Sequence, residues 1–170
     1  EKGALRPPPD GLTPHQQLER IRGRTLELLK KAETCWKKEL IPELRTNMID
    51  ICRIGDLRDH EKEKLRKYFE ENIFPTLTPL AMDLAHPFPF ISNLSLNLAV
   101  VIKGKKKGEK YARIKVPTDL FPRFIKIPGG GGRRRKERYV LLEDLLALNL
   151  DLLFPGMNII NYFPFRITRN

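Results

Sequence analysis

Large aliphatic residues occupy every second position along the second half of a central stretch, from Leu94 to Ile102, with Ser95, Asn97, Ala99 and Val101 between them. Successive side chains of a β-strand point to opposite faces of the sheet, so this alternation predicts a strand with one well-buried face. The first half of the stretch begins at Ile73 and contains four prolines, each of which fixes its own φ and biases the preceding residue away from helix. We therefore expect residues 73–102, the proline-rich seam, to be extended and to join a helical region to a region of strands. The prolines are Pro75, Pro79, Pro87 and Pro89.

A helix start is marked by Thr13, Pro14 and Gln16. Threonine caps a helix, proline suits its first position, and a glutamine three residues after the cap completes a capping box. Apolar residues then recur at helical spacing, which predicts a helix that runs to about Leu40 and is ended by Pro42. We expect its apolar stripe to face a core or a partner, opposite a face rich in lysine and glutamate. The stripe comprises Leu18, Ile21, Thr25, Leu28, Ala32 and Trp36.

Two further helices and several strands are predicted in the rest of the chain. A second helix spans residues 59–72, with acidic residues in its first turns, and a third spans residues 143–154 before Pro155 and Gly156. The fold class is therefore α+β, with N-terminal helices followed by a largely antiparallel sheet with one inserted helix. Besides the seam, the pattern predicts strands over residues 49–54, 111–116, 124–127, 139–142 and 159–168.

The chain is strongly basic. It carries 32 Lys and Arg residues against 21 Asp and Glu residues, a formal net charge of +11. This excess favours a polyanionic partner, with nucleic acid, an anionic membrane surface and a phosphate polymer as the alternatives. At 170 residues and 41% hydrophobic, the chain is long enough for one domain, or for one domain with an appended helical part.

The strongest candidate for contacting such a partner is the run Arg133, Arg134, Arg135 and Lys136, with Arg138 close by. Guanidinium forks match phosphate oxygens two at a time, and several of them on one glycine-rich loop can follow a linear polyanion. We call residues 129–136 the cationic loop. A solvated run of charge without a ligand is the alternative interpretation.

A second basic segment, residues 103–110, contains five lysines and two glycines between two alternating runs. This lysine hairpin is more typical of a solubility device at a hairpin tip than of a binding site. The four glycines of the cationic loop do not form a P-loop, because no GK[ST] follows them.

Several other classes of site find no support in the sequence. Cys35 and Cys52 lie far apart without a CxxC pair, so zinc is not expected and both are interpreted as free thiols of a reducing cytosol. His15, His60 and His86 are scattered, and none is visibly paired with a serine or cysteine nucleophile. No apolar run approaches the roughly 20 residues of a membrane span, and the N-terminus is not typical of a signal peptide.

Longer pieces of the sequence resemble one family. The first piece, FPTLTPLAMDLAHPFPFISNLSLNLAVVIK, is similar to the start of the head domain of bacterial polyphosphate kinase, the ATP:polyphosphate phosphotransferase. Three later pieces agree in order and spacing: YARIKVPTDLFPRFIKIP, then RRRKERYVLLEDLLALNLDLLFPGM, then FRITRN. The resemblance covers roughly the whole chain and is more specific than any short motif in it.

The resemblance implies a division of the chain and a place for its chemistry. Residues 1–45 are expected to be the end of an N-terminal helical domain, and residues 46–170 much of a head domain that is incomplete at its C-terminus. In this family the terminal phosphate of ATP passes reversibly to polyphosphate through a phosphohistidine, with Mg²⁺. The phosphorylated histidine and the metal-binding arginines are expected beyond Asn170, and an ATP-contacting asparagine before Glu1. The resemblance therefore assigns no catalytic residue, metal ligand or bound cofactor within this chain, which we interpret as a piece of a longer protein.

Two hypotheses of function follow. The first is a structural and dimerising part of a cytoplasmic, homo-oligomeric polyphosphate kinase, at most peripheral to the inner membrane. It is inactive alone, flanks the active site, and brings Arg133, Arg134, Arg135 and Lys136 near ATP or polyphosphate. The second is a basic nucleic-acid-binding module. Against it, the basic loops lack interleaved aromatic residues and no helix is basic along one face, so no specific nucleic acid is expected as a partner.

Overall fold

The chain forms two compact units, Glu1–Asn47 and Met48–Asn170. In its described part the first unit is helical, and the second combines helices with β-sheets. This architecture confirms the predicted α+β fold class. The predicted division into domains at residues 45 and 46 stays a prediction. The computed structural model of the chain describes residues 9–82, 90–104, 108–128 and 136–168.

Helix α1, Pro14–Cys35, begins where the sequence predicts. The Gln16 amide donates to Thr13 Oγ1 at 3.3 Å and the Thr13 amide donates to Gln16 Oε1 at 2.9 Å, so both halves of the capping box are present. No residue of α1 is buried, and its apolar stripe is exposed; Leu18, for example, is 67% exposed. That this stripe packs on a partner stays a prediction.

The helical path does not end before Pro42, and that prediction is wrong. A π-helical turn, Trp36–Leu40, follows α1, and helix α2, Ile41–Thr46, contains Pro42 in its first turn. In the π turn the Ile41 amide donates to the Trp36 carbonyl, five residues back. The wider turn shifts the hydrogen-bond register just before the proline. Proline is tolerated there because the first amides of a helical segment have no acceptor within that segment.

The second unit contains three more helices and seven strands among its described residues. The helices are α3, Asp59–Tyr68, α4, Leu142–Leu148, and α5, Leu150–Leu153, with 3-10 turns at Ile54–Asp56 and Phe74–Thr76 and a π turn at Phe69–Ile73. The strands are β1, Ile49–Cys52, β2, Leu80–Met82, β3, Leu96–Lys103, β4, Glu109–Lys115, β5, Phe124–Lys126, β6, Glu137–Leu141, and β7, Asn158–Arg166. Every predicted strand is present with bounds within two residues of the prediction, and β2 lies inside the proline-rich seam.

The strands that the structure describes form two sheets instead of one, with orders β1-β6-β5 and β2-β4-β3-β7. The four-stranded sheet is antiparallel throughout, and β3 pairs with β4 as the predicted hairpin, with Leu98 opposite Ile114. In the three-stranded sheet β5 and β6 are antiparallel, but β1 and β6 are parallel, with Ile51 opposite Tyr139. The sequence did not predict this parallel pair, because short apolar runs reveal strands but not their distant partners.

A hydrophobic core covers one face of the four-stranded sheet, which we call the inner face; the opposite face is the outer face. The alternation in β3 places four side chains in this core, as predicted from the pattern. Helices α3 and α4 and the π turn after α3 close the core from the other side. Burial of one leucine side chain contributes about 1.5–3 kcal/mol, so this layer dominates the stability of the unit. Buried members of this core include Leu65, Phe69, Ile73, Leu96, Leu98, Val100, Ile102, Ile114, Leu142, Leu145 and Leu146.

An ion pair between Glu61 and Arg138 joins α3 to β6. The two side chains are 6% and 16% exposed. Arg138 Nη1 donates to Glu61 Oε1, and Arg138 Nη2 donates to the Asp56 carbonyl oxygen at 2.9 Å. Glu61 Oε2 accepts from the Arg58 amide at 2.9 Å, so the same carboxylate caps α3. Burial acts to raise the pKa of Glu61, but the hydrogen bonds from Arg138 and Arg58 outweigh it and hold the pKa below its ordinary value.

Two non-glycine residues in the described part of the chain lie in the left-handed region, Met48 at φ 63° and Leu94 at φ 58°. Met48 follows Asn47, which ends α2 and donates from Nδ2 to the Glu43 carbonyl at 2.9 Å. Glycine commonly occupies this position after a helix, because it adopts the left-handed conformation without strain. The Met48 carbonyl accepts from the Glu137 amide at 2.8 Å, so its unusual backbone leads directly into the β1–β6 pair.

Replacing Glu61 by glutamine is expected to lower the free energy of unfolding at neutral pH by about 3 kcal/mol, because it leaves the largely buried Arg138 charge without a counter-charge. The folded-state pKa of Glu61 is lowered, so the ion pair stabilises the fold above the ordinary value of 4.5 and loses this effect as the pH falls through the folded-state pKa. Urea unfolding at neutral and acidic pH should show that the difference in free energy of unfolding between wild type and E61Q shrinks as the pH falls.

As a control, Glu137→Gln breaks the exposed pair with Lys126 (side chains 45% and 53% exposed) and should lower the free energy of unfolding by less than about 1 kcal/mol. Equal losses for the two variants would contradict an internal role of the Glu61–Arg138 pair.

Met48→Val is expected to lower the free energy of unfolding by about 1–2 kcal/mol, because a β-branched side chain tolerates the left-handed region poorly. Met48→Gly should have little net effect, since the relief of strain offsets the added freedom of the unfolded chain. Met157→Val is the matched control: Met157 is 40% exposed against 45% for Met48 and is not among the positive-φ residues. Chemical denaturation measures the free energy of unfolding of the three variants. Equal losses for Met48→Val and Met157→Val would show that the left-handed backbone at Met48 is not the cause.

Candidate functional site

Both ends of the cationic loop are fixed to the three-stranded sheet. Strand β5 ends at Lys126, β6 begins at Glu137, and the two strands pair antiparallel. The Ile127 amide donates to the Arg138 carbonyl at 2.9 Å, and the Glu137 amide donates to the Met48 carbonyl at 2.8 Å. The loop therefore leaves and re-enters the sheet at neighbouring strands held in register.

Of the four predicted site residues, the structure describes Lys136, and Arg133, Arg134 and Arg135 lie outside the described residues. Lys136 is exposed and directly precedes β6. It forms no hydrogen bond or ion pair within the part of the chain that the structure describes.

An exposed ion pair lies where the cationic loop meets the sheet. Lys126 Nζ donates to Glu137 Oε1, and Tyr139 Oη donates to Glu137 Oε2 at 2.8 Å. The hydrogen bond from Lys126, followed by that from Tyr139, lowers the pKa of Glu137. The carboxylate is consequently ionised at neutral pH and offsets the charge of Lys126.

Arg138 has a role different from that of its basic neighbours. Both of its Nη atoms are engaged, one by Glu61 and the other by the Asp56 carbonyl. The hydrogen bond with Glu61 raises the pKa of Arg138, so the guanidinium stays charged and internally paired. Arg138 therefore supports the strand that follows the cationic loop and is not itself a free phosphate ligand.

The lysine hairpin joins β3 to β4, as predicted. Lys103, the last residue of β3, lies opposite Glu109, the first residue of β4, and Lys110 lies opposite Ile102. Lys103 and Lys110 are both exposed. Lys105, Lys106 and Lys107 lie outside the described residues.

The described histidines lie at the surface. His15 is exposed on the first turn of α1, with Nδ1 3.8 Å from Glu19 Oε2, and His60 is exposed on the first turn of α3. His86 lies outside the described residues. Both described histidines are therefore open to solvent, whereas a reacting group usually lies in a cleft or pocket.

Neither a metal centre nor a membrane span is found in residues 9–82, 90–104, 108–128 and 136–168. No group of three or more His, Cys, Asp and Glu residues there is placed to hold a metal ion, and no helix is long and apolar enough to cross a bilayer. Cys35 and Cys52 are free thiols. Burial raises the pKa of Cys52, so this thiol is poorly nucleophilic.

A buried polar pair lies on the outer face of the four-stranded sheet. Arg113 of β4 is 7% exposed and Asn97 of β3 is fully buried. Arg113 Nε donates to Asn97 Oδ1 at 2.8 Å. Burial lowers the pKa of the Arg113 guanidinium. The pair is therefore an arginine removed from water and bonded to a neutral amide.

Neither the internal contacts of the buried Arg113 nor those of the largely buried Arg138 were predicted from the sequence. A single arginine in an alternating strand is typical of a solvent-facing position, so nothing local distinguished Arg113. Arg138 lies 77 residues from Glu61, and no spacing rule connects a helix cap to a strand that distant. In the sequence, Arg138 was noted only because it lies close to the cationic loop, as a candidate contact to phosphate and not as the partner of Glu61.

Comparisons with known proteins agree on one family. Residues 60–170 match the family model described as polyphosphate kinase middle domain. Residues 1–52 match the family model described as polyphosphate kinase N-terminal domain. The two matches follow one another along the chain and together cover most of it.

Individual relatives give the same result. Polyphosphate kinase 1 of Chlorobaculum tepidum is 44% identical over 174 residues, which cover 100% of this chain and 25% of that protein. The polyphosphate kinase of Aphanizomenon baltica is 46% identical over 167 residues, which cover 95% of this chain and 43% of that sequence. The crystal structure of polyphosphate kinase from Porphyromonas gingivalis has a TM-score of 0.82 at 28% identity, covering 89% of this chain and 24% of that one. The chain spans less than half the length of these relatives, and it belongs to the polyphosphate kinase family.

Proposed function

We propose that this chain forms the part of a polyphosphate kinase that holds and pairs the active centre, while the reacting groups lie in other parts of the enzyme. The complete enzyme transfers the terminal phosphate of ATP to polyphosphate, in the cytoplasm. The match of residues 1–52 and 60–170 to the N-terminal and middle domains of this family is the observation that carries the proposal.

The cationic loop is proposed to contact the phosphates of polyphosphate or ATP. The formal charge of +11, the three consecutive arginines and the exposed Lys136 support this role. When several basic side chains bind a polyanion, condensed counterions are released. This release favours association and depends on the charge of the polymer alone. Strands β5 and β6 fix both ends of the loop, so less conformational freedom is lost when a ligand binds.

The proposal assigns neither the phosphorylated histidine nor the Mg²⁺ ligands to the described residues. His15 and His60 are both exposed on the first turns of helices. Mg²⁺ prefers carboxylate oxygens and phosphates, and the described acidic residues do not gather into a group that would hold it. When bound in the complete enzyme, the ion would supply neutralisation of phosphate charge.

Homo-oligomerisation is part of the same proposal. Strand β7 lies at one edge of the four-stranded sheet that the described residues form, and it is nine residues long. A long edge strand presents unpaired backbone groups that favour pairing with another chain. The exposed side chains of Ile160 and Phe163, at 44% and 52%, add apolar area along that edge. These features support a contact between copies through the second unit.

Replacing Arg133, Arg134 and Arg135 together by alanine is expected to weaken binding of long-chain polyphosphate at least about tenfold, because charge-assisted contacts are lost. The melting temperature should be nearly unchanged if the three arginines act on the ligand and not on the fold, since solvated charges contribute little to folding. Calorimetric titration at fixed ionic strength and a thermal scan measure the two quantities.

The matched control replaces Lys105, Lys106 and Lys107 by alanine, which removes the same number of charges from the lysine hairpin. This variant should bind polyphosphate within about threefold of wild type. If both triple variants lose the same polyphosphate affinity, binding depends on the net charge of the chain alone, which would contradict the proposed role of the cationic loop. Duplex DNA that outcompetes polyphosphate at equal phosphate concentration would favour a nucleic-acid-binding module instead.

The 170-residue chain alone is expected to make no polyphosphate when incubated with ATP and Mg²⁺, because the reacting groups are proposed to lie elsewhere. Phosphorus NMR of the reaction mixture detects the polymer. The complete polyphosphate kinase 1 of Chlorobaculum tepidum serves as the positive control. Polymer made by the isolated chain would contradict the proposed division of labour.

A further inference from the structure

Strand β7 is the longest open edge of the two sheets that the described residues form. The other edge strands, β1, β2 and β5, have three or four residues each, whereas β7 has nine. An ordinary open edge exposes backbone N–H and C=O groups to which a strand of another molecule can hydrogen-bond. The backbone groups that point outward from β7 therefore decide which kind of partner can bind this edge.

The hydrogen bonds of β3 show which residues of β7 point outward. The Val116 amide donates to the Leu96 carbonyl at 2.9 Å, so Leu96 directs its backbone groups toward β4. The direction alternates along an antiparallel strand, so Asn97 directs its backbone groups toward β7, where its partner is Phe165. The residues of β7 that alternate with Phe165 consequently direct their backbone groups away from the sheet. They are Tyr162, Pro164 and Arg166.

Two of these three outward positions offer no amide to a partner. Pro164 has no backbone N–H, and proline within sheets is confined largely to edge strands, where that missing donor faces solvent. The Tyr162 amide donates to Asn161 Oδ1 at 2.8 Å, so its hydrogen is already bound within β7. Arg166 is left as the one outward donor of the three. The outward carbonyls remain, so this edge presents mainly hydrogen-bond acceptors.

A β-bulge adds a further obstacle to strand addition. The pairing with β3 steps from Asn161 to Ile159 between two consecutive residues of β3. Ile160 is the extra residue, and it is 44% exposed. A bulge bends the strand and increases its twist, and edge strands use bulges to avoid pairing with other molecules. A regular strand laid along β7 would therefore lose its register at Ile160 as well as its donors at Tyr162 and Pro164.

We propose that the open edge of β7 is closed to strand addition, and that a second copy of this chain contacts it through side chains without extending the sheet. Outward carbonyls accept from the N–H groups of lysine and arginine, of which the chain has 32. The exposed side chains of Ile160 and Phe163 supply apolar area along the same strand. The inference rests on the homo-oligomer of the proposed function and specifies how its copies meet.

The test opens this edge in the whole 170-residue chain. Asn161→Ala releases the Tyr162 amide, and Pro164→Thr restores an outward amide in a residue that favours strands. The control combines Asn158→Ala and Pro155→Thr, the same two replacements at exposed positions at the start of β7 and in the turn before it. Analytical ultracentrifugation measures self-association, and hydrogen exchange followed by NMR at low and high protein concentration measures the protection of each β7 amide.

The opened double variant is expected to self-associate at least about tenfold more tightly than wild type, because each copy regains two outward donors. Its Tyr162 amide should exchange at least about tenfold more slowly in the associated form, since a strand pair protects it. Wild type and the control should associate equally. In wild type the Arg166 amide should exchange at the same rate at both concentrations.

Two results would overturn the closed edge: slower exchange of the Arg166 amide when the wild-type chain associates, or an opened variant that associates no more tightly than the control. All replaced side chains are exposed, and either single replacement in β7 serves the same purpose if the double variant does not fold. A wild-type chain that remains monomeric contradicts the proposed contact between copies, whereas the opened variant still decides whether the edge is closed.

Discussion

The ion pair between Glu61 and Arg138 is the contact on which the geometry of the candidate site depends. It links the first turn of α3 to the second residue of β6, and the cationic loop ends immediately before that strand. The same carboxylate accepts the Arg58 amide, so the pair fixes the start of the helix and the start of the strand together. Because the pair is largely buried, its removal leaves an uncompensated charge inside the fold, a far larger loss than that of a surface pair. The described residues at both ends of the loop are thus held by contacts within the second unit.

Four described basic residues differ in how their positive charge is compensated, and the difference follows from the groups that surround each side chain. Arg138 is neutralised inside the fold by Glu61, and Lys126 is neutralised at the surface by Glu137. Arg113 is buried beside a neutral amide, and Lys136 is exposed at the end of the cationic loop. The net charge of +11 therefore overstates how many basic groups are available to a ligand.

Local patterns in the sequence were sufficient to predict the helices and strands. They were insufficient to predict how distant helices and strands contact one another. The capping box at Thr13 and the alternation of β3 rest on neighbouring residues, and both were predicted correctly. Pro42 was misjudged because a π turn just before it removes the conflict between proline and helix, a compensation that propensity does not encode. The parallel pairing of β1 with β6 depends on contacts between distant segments, and so does the Glu61–Arg138 pair. The cationic loop was recognisable from composition alone, whereas Arg113 became apparent only through its burial.

The most direct test of the central claim is the salt dependence of polyphosphate binding to this chain. The account predicts that the logarithm of the association constant falls linearly with the logarithm of salt concentration, since phosphate contacts release counterions. Alanine at Arg133, Arg134 and Arg135 should make that line shallower by about two to three released ions, at roughly 0.7 to 0.9 per contact. Parallel lines for wild type and variant would contradict the claim that a loop anchored by the interior of the fold holds the phosphate chain.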